Sequence, residues 1–272
     1  MKTRPVSLRL NVVRTDNFDR HRRGRIVLRD GAGAACAYGG KQLGQHWIRV
    51  PRLGTFELSP DFADVHAYVS PSASQALVLD GYYGTALPLF TQATLGYEVL
   101  HASAVLVNGG AVAFCGFTGV GKSTIASALS ARGFELWADD AIALASVAPE
   151  SPASVFLPFM LNERSVSVAE GRDQVPLLAV CVLERVASTS GLTAGVISRP
   201  SPSVASAMLL EHAYRFSPQA LDRRRKMVQA YINVTAEIPV LLVRFVPSPL
   251  GLPELLGRIE STVARLTSEP RV

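Results

Sequence analysis

The sequence predicts an α/β fold with a mixed sheet, preceded by a small β-rich region over residues 1–90, with the core occupying 91–272. Three observations carry this. The 272 residues are 48% hydrophobic and 18% charged, which excludes a disordered, collagen-like or coiled-coil chain and leaves ample apolar surface for a core. The early segments are short, alternating and punctuated by Gly and Pro. An apolar hairpin then runs directly into a glycine-rich loop and a helix.

Taken in order, residues 5–13 alternate and read as a strand, and Arg14 to Arg25 is a charged connection. Arg25 to Arg29 is a short strand, followed by the Gly/Ala-rich Asp30 to Gly40. Residues 47–58 read as further short strand with Pro51 and Gly54 as punctuation, and Val65 to Val69 as another. Leu77 to Tyr97 has partial helical spacing, broken by Gly81, Gly84 and Pro88. Ala104 to Val107 and Ala111 to Cys115 flank Asn108-Gly109, a pair suited to a type I′ hairpin turn because both central residues need positive φ. Phe134 to Ala138 and Leu177 to Leu183 are further strands.

Charge and cysteine content narrow the class. The formal charge is +5, which suits a polyanionic ligand such as a nucleotide but is too diffuse to require nucleic acid. Cys36, Cys115 and Cys181 are widely spaced with no CxxC, so neither a disulfide framework nor a zinc site is expected, and reduced thiols in the cytoplasm are. No segment reads as a signal peptide, and the longest apolar run, Val175 to Leu183, contains Pro176 and is too short to span a bilayer. No membrane or nucleic-acid partner is expected.

The chemistry concentrates after the hairpin. Gly116-Phe117-Thr118-Gly119-Val120-Gly121-Lys122-Ser123-Thr124 is G-x-x-x-x-G-K-S in full. Glycines let successive N–H groups turn toward phosphate oxygens, Lys122 adds a positive charge, and the Ser123 hydroxyl suits Mg2+. Ile125, Ala128 and Leu129 form the inward face of the helix that follows, whose N-terminus favours an anion. Gly133 suits the position just past its end. The next strand ends in Asp139-Asp140, where a Mg2+ ligand is needed beside such a loop, and the second carboxylate is free to accept a proton. A solvated acidic turn is the alternative, but apolar residues flank the pair on both sides. Carrying the hairpin register back sets His101 opposite Gly116, where an imidazole can touch phosphate or orient an aspartate.

Together, His101-Ala102-Ser103, the hairpin, the loop from Gly116 to Thr124, and Arg132 to Asp140 resemble the core of HPr kinase/phosphorylase and its relatives, of the phosphoenolpyruvate-carboxykinase type of P-loop fold. The close resemblance covers residues 100–145; a weaker one continues through Ile238 to Phe245 and Leu252 to Leu266. It implies that Gly116, Thr118, Gly119, Val120, Gly121, Lys122, Ser123 and Thr124 bind the phosphates of ATP, and that Ser123 and Asp140 hold Mg2+. It further implies that the other aspartate, Asp139 on this division, is base toward a substrate hydroxyl, although the resemblance leaves open which of Asp139 and Asp140 takes which role, and that His101 and Lys122 lie near the transferred phosphoryl group. The family is often oligomeric, so a homo-oligomer is open. Val155 to Gly171 lacks the glycine-rich signature of members that phosphorylate HPr. The chain looks more like shorter HPr-kinase-like proteins such as lasso-peptide tailoring kinases, which phosphorylate a serine of a precursor peptide. A small hydroxylated metabolite as acceptor, and a nucleotide-dependent regulator without catalysis, are the competing readings.

Lesser candidates are Glu163 and Arg164, as a metal contact and a phosphate clamp or an exposed ion pair, and the basic run Arg223 to Lys226. His212 and Tyr214 are read as structural residues on a helix, and Glu184-Arg185 as a strand cap.

Overall fold

The computed structural model describes residues 9–19, 24–29, 33–61, 64–95, 97–144, 154–156, 174–187, 195–214 and 221–268. The fold is mixed α/β. It divides into two compact units: residues 1–99 with 214–226, and residues 100–213 with 227–272. The first unit therefore runs past the expected division at 90/91 and takes in a later segment.

The first unit holds one sheet. Its strands are β1 (Arg9–Arg14), β2 (Arg25–Arg29), β3 (Ala35–Gln42), β4 (Gln45–Val50), β5 (Gly54–Leu58) and β6 (Asp64–Val69). The order is β1-β6-β5-β4-β3-β2, an antiparallel meander closed at one edge by β1 running parallel to β6. Ala35 to Gly40, the second half of the Gly/Ala-rich stretch, lies in β3. Its Gly40 pairs with Trp47, and a Cβ on Gly40 would lie 3.1 Å from the indole. Glycine is used there because a large ring lies across the strand.

The helical stretch does not break where Gly81 and Pro88 suggest. Ser74 caps α1 (Gln75–Gly81) by accepting the Leu77 N–H, a π-helical turn spans Tyr82–Ala86, and α2 (Leu87–Leu95) continues it. Pro88 has no N–H to offer the Gly84 carbonyl, which instead accepts the Tyr214 hydroxyl at 2.9 Å. Nearby, Gln92 donates to Glu98 at 3.2 Å and to the Tyr214 carbonyl at 2.7 Å, while Arg223 forks onto the buried Glu98 carboxylate, one arm at 2.8 Å. Tyr214 and Arg223 are thus tied into the first unit by hydrogen bonds to groups that have left water.

β7 (Glu98–Leu100) leads into the second unit. Its elements are β8 (Ala102–Val107), β9 (Gly110–Cys115), α3 (Lys122–Ser130), β10 (Glu135–Ala138), β11 (Ile142–Leu144), β12 (Ser154–Phe156), β13 (Gln174–Arg185), β14 (Val196–Ser198), α4 (Pro202–Glu211), α5 (Leu221–Glu237, entering from the first unit), β15 (Val240–Phe245) and α6 (Leu252–Ser268). The sheet runs β10-β8-β9-β13-β12-β11, with β15 parallel to β13 and β14 antiparallel to β15. Since β13 is also parallel to β9, the sheet is mixed as expected.

The hairpin forms in the predicted register, with Val107 opposite Gly110 and Ala102 opposite Cys115. Asn108 and Gly109 have φ of 50° and 81°. Every residue of β9 is buried, and its side chains alternate between two cores. Ala111, Ala113 and Cys115 face a layer containing Leu209 of α4 and Tyr231 of α5, whereas Val112 and Phe114 face one containing Leu129 of α3 and Ile259 of α6. The loop after β9 is therefore anchored by a central strand covered on both faces.

Candidate functional site

The glycine loop starts where β9 ends. Gly116 has φ +153°, and a Cβ there would meet Val120 Cγ1 at 2.8 Å and the Leu183 carbonyl oxygen at 2.9 Å, so no larger residue fits. Gly119 and Gly121 take left-handed φ of +81° and +111°. Helix α3 then starts at Lys122. It buries Ile125, Ala126 and Leu129; Ala126, rather than the half-buried Ala128, completes the inward face. The helix closes in a Schellman arrangement, Phe134 N–H to Leu129 O and Gly133 N–H to Ser130 O, with Gly133 at φ +100°.

Lys122 is buried, and its ammonium folds back to donate to the Gly116 carbonyl at 3.1 Å and the Phe117 carbonyl at 3.4 Å. Burial lowers its pKa, opposed by the carboxylates of Asp140 and Asp139. Strand β10 ends at Ala138, so both aspartates lie beyond the alternation of the strand, and Asp140 takes φ +69°. Asp139 Oδ1 accepts from the Ser123 hydroxyl at 2.7 Å, the Ser103 hydroxyl at 2.6 Å and the Asp140 N–H at 3.1 Å. The hydroxyl of the glycine loop thus meets Asp139, where the resemblance had set it with Asp140.

His101 does not extend the hairpin ladder to Gly116. Its backbone N–H bonds the His212 carbonyl at 2.9 Å. Burial pushes the His101 imidazole down to about 4, assisted by Lys122 and His212, against a hydrogen bond with the Asp140 backbone and the charge of Asp139. His101, Lys122 and both aspartates therefore share one electrostatic neighbourhood, with the histidine neutral.

His212 and Arg185 also reach the glycine loop. His212 caps α4, its ring packs edge-on to Phe117 with centroids 5.0 Å apart, and burial followed by Lys122 lowers its pKa to about 4. Tyr214 lies past that helix and belongs to the first unit. Arg185, at the end of β13, donates from Nε to the Val120 carbonyl at 3.0 Å. Its signal was its place at the carboxyl end of a parallel strand, where ligands of α/β sheets bind; His212 had no such signal. Arg223 of the basic run is committed to Glu98, and Glu163 and Arg164 lie outside the described residues.

Two cavities flank the glycine loop. One of about 690 Å3 lies against Phe117 to Val120, walled by the ends of β13 and β15 and by α4. The other, about 330 Å3, lies against Gly121, Thr124 and Ile125 and is walled by Phe245 to Leu255. Among the described residues no group of three or more His, Cys, Asp or Glu gathers as a metal cage. The Ser123–Asp139 oxygen pair still fits Mg2+, which keeps several waters and needs one or two protein oxygens beside substrate phosphates. Among the same residues no helix is long and apolar enough to cross a membrane.

No family model matches the chain, and no curated protein matches it. Among solved structures it is similar to the Hpr(Ser) kinase/phosphatase from Coxiella burnetii, with 16% identity, 61% of this chain and 98% of that one covered, and a TM-score of 0.35. At that level the similarity bears on neither residues nor activity.

Proposed function

We propose that the second unit is a Mg2+-dependent kinase that moves the γ-phosphoryl group of ATP to a serine-type hydroxyl of a peptide or protein. One observation carries the reading: a G-x-x-x-x-G-K-S loop whose serine hydroxyl lies 2.7 Å from a carboxylate, with the loop's lysine ammonium held on the Gly116 carbonyl. Backbone N–H groups from Gly119 to Thr124 and the start of α3 receive the phosphates, and the Lys122 ammonium turns from the loop carbonyls to the transferring group. Ser123 and Asp139 hold Mg2+, which when bound neutralises phosphate charge.

This assignment leaves Asp140 as the base, the reverse of the division preferred from the resemblance, because Ser123 bonds Asp139. The acceptor oxygen attacks γ-phosphorus, its proton passes to the Asp140 carboxylate, the bond to the bridging oxygen breaks, and ADP leaves. Neutral His101, beside Asp140 and Lys122, offers a hydrogen bond without competing charge. Catalysis is then largely positioning and charge neutralisation.

The 690 Å3 cavity beside Phe117 has room for a peptide side chain and its neighbours. Exposed Phe117, Thr118 and Val204 line it, an arrangement better suited to an extended chain than to an enclosed metabolite. A serine in a ribosomally made precursor peptide of the lasso type is the acceptor to try first.

The test is transfer from γ-labelled ATP with Mg2+ to serine peptides, precursor peptides and HPr, beside Lys122→Ala and Asp140→Asn. Label on a serine, lost in both variants, is the expected result. Bound nucleotide with no label on any peptide or protein would overturn the peptide-kinase reading.

A further inference from the structure

The outermost strand of a sheet presents a row of N–H and C=O groups to whatever lies beside it. In the first unit β1 is such a strand: it pairs with β6 on one side, and among the described residues no strand pairs with it on the other. Every residue of β1 except Leu10 is exposed. Its register with β6 runs unbroken from Arg9 opposite Asp64 to Arg14 opposite Val69, with no bulge, and the strand contains no proline. Two of the devices that keep an edge from pairing are therefore missing.

A third device, charge, is turned inward. Arg9 Nε lies 2.9 Å from the Asp64 carboxylate, and the Asn11 side-chain amide donates to the same carboxylate at 3.3 Å. Arg14 Nη1 donates to the Pro71 carbonyl at 3.2 Å and the Ala73 carbonyl at 2.5 Å. All three polar side chains reach back toward β6 and the turn after it, which leaves the middle of the edge to Leu10, Val12 and Val13. The two valines are 45% and 43% exposed, one on each face of the sheet. Val12 ends a cross-strand row: it pairs with Ala67, Ala67 with Phe56, and Phe56 with Ile48, and those three are wholly buried. The apolar row of the core thus runs out to the edge and stops uncovered.

We propose that β1 is a self-association edge, on which a second copy of this chain lays its own β1 antiparallel, about a two-fold axis that passes through Asn11 perpendicular to the sheet. Such an axis keeps the two faces of the sheet in common, so a residue meets only residues of its own face. Centred on Asn11, it sets Leu10 of each copy opposite Val12 of the other, which prolongs both apolar rows, and Arg9 opposite Val13, so that no like charges are opposed. The occupant is a copy and not a charged peptide, because the two cations of the edge are already engaged, Arg9 by Asp64 and Arg14 by backbone carbonyls. The two-fold pair also removes this edge from both copies at once, whereas a foreign strand would bring a new edge of its own.

The experiment is sedimentation equilibrium of the full chain over a range of concentrations, comparing wild type with Val12→Lys and Val13→Lys, beside oxidative cross-linking of Asn11→Cys and Val13→Cys. Both valines are exposed, so the lysines leave the fold intact, which thermal melts check. Wild type is expected to dimerise, and each lysine, acting twice across the axis, to weaken the dimer by about tenfold or more. Asn11→Cys, which faces its own copy, is expected to give a disulfide-linked dimer beyond the wild-type level, and Val13→Cys, which faces Arg9, is not. A wild type that stays monomeric throughout would overturn the proposal and leave the edge to a foreign strand. A dimer that neither lysine weakens, or one in which Val13→Cys cross-links as readily as Asn11→Cys, would overturn it as well.

Discussion

Removing the Ser103 hydroxyl should separate positioning from chemistry. Ser103 is fully buried on β8, and its hydroxyl bonds Asp139 Oδ1 at 2.6 Å, also lying 3.5 Å from the Ser123 hydroxyl. A hydrogen bond to a charged group contributes roughly 1.5–3 kcal/mol net. Asp139 is only half-buried and keeps Ser123 and the Asp140 N–H as donors, so the low end applies, and Ser103→Ala leaves no unsatisfied donor behind. The expected cost is about 1.5 kcal/mol, a fall in Tm of about 3–6 °C for a chain of this size. If Asp139 holds Mg2+, loss of its supporting hydroxyl raises the Mg2+ concentration for half-maximal transfer about tenfold, the usual scale for a partner behind a metal ligand. Saturating Mg2+ then restores most of kcat. Thermal melts and Mg2+ titrations of labelled transfer read both quantities. A Tm loss with an unchanged Mg2+ requirement would refute the positioning argument, and an unchanged Tm would refute the bond arithmetic.

Four further outcomes are expected. Lys122→Ala should cut transfer by about 10²–10³-fold, because it removes the principal cation at the phosphates, with Tm little changed; steady-state kinetics and melts check it. Asp140→Asn should abolish transfer with ATP binding intact, whereas Asp139→Asn should raise the Mg2+ requirement, measured by calorimetry beside the kinetic assay. His101 and His212 are held at about 4 in the fold against an ordinary 6.5. The unfolded chain therefore binds more protons between those values, stability is complete above pH 6.5, and it falls as pH drops toward 4; His212→Gln should flatten the dependence of Tm on pH in that window. Arg223→Ala should destabilise the first unit by about 3 kcal/mol, since it strands the buried Glu98 carboxylate with Gln92 alone among the donors described above, and urea melts would show it.

What could be read from the sequence was local in origin. Asn108-Gly109 determined a turn and hence the whole β8–β9 register, and Gly133 marked a helix end, because each acts through its own φ. The motif from Gly116 to Thr124 likewise puts its chemistry within nine consecutive residues. What could not be read depended on distant partners. Ala35 to Gly40 carries no strand pattern of its own, and it pairs as a strand with Trp47 across from Gly40. Pro88 looks like a break until the Tyr214 hydroxyl arrives to take up the Gly84 carbonyl. Arg185 and His212 reach the glycine loop from residues far along the chain; the end of an apolar strand points to Arg185, and nothing local points to His212. The pairing of Ser123 with Asp139 instead of Asp140 depended on where β10 stops, which the strand's alternation could not fix.

The membership of residues 214–226 in the first unit has a consequence for biosynthesis. When Val99 leaves the ribosome, the six-stranded sheet is complete, but Glu98 and Gln92 still lack Arg223 and Tyr214. At ordinary translation rates the missing segment follows roughly 6–25 s later. During that interval the nascent first unit carries an unneutralised carboxylate in a place meant to be dry, and the second unit is being made before the first can close. A fragment cut at residue 99 would inherit that defect permanently. Dissection of this protein should therefore graft 214–226 back onto the N-terminal piece rather than split the chain at a single point.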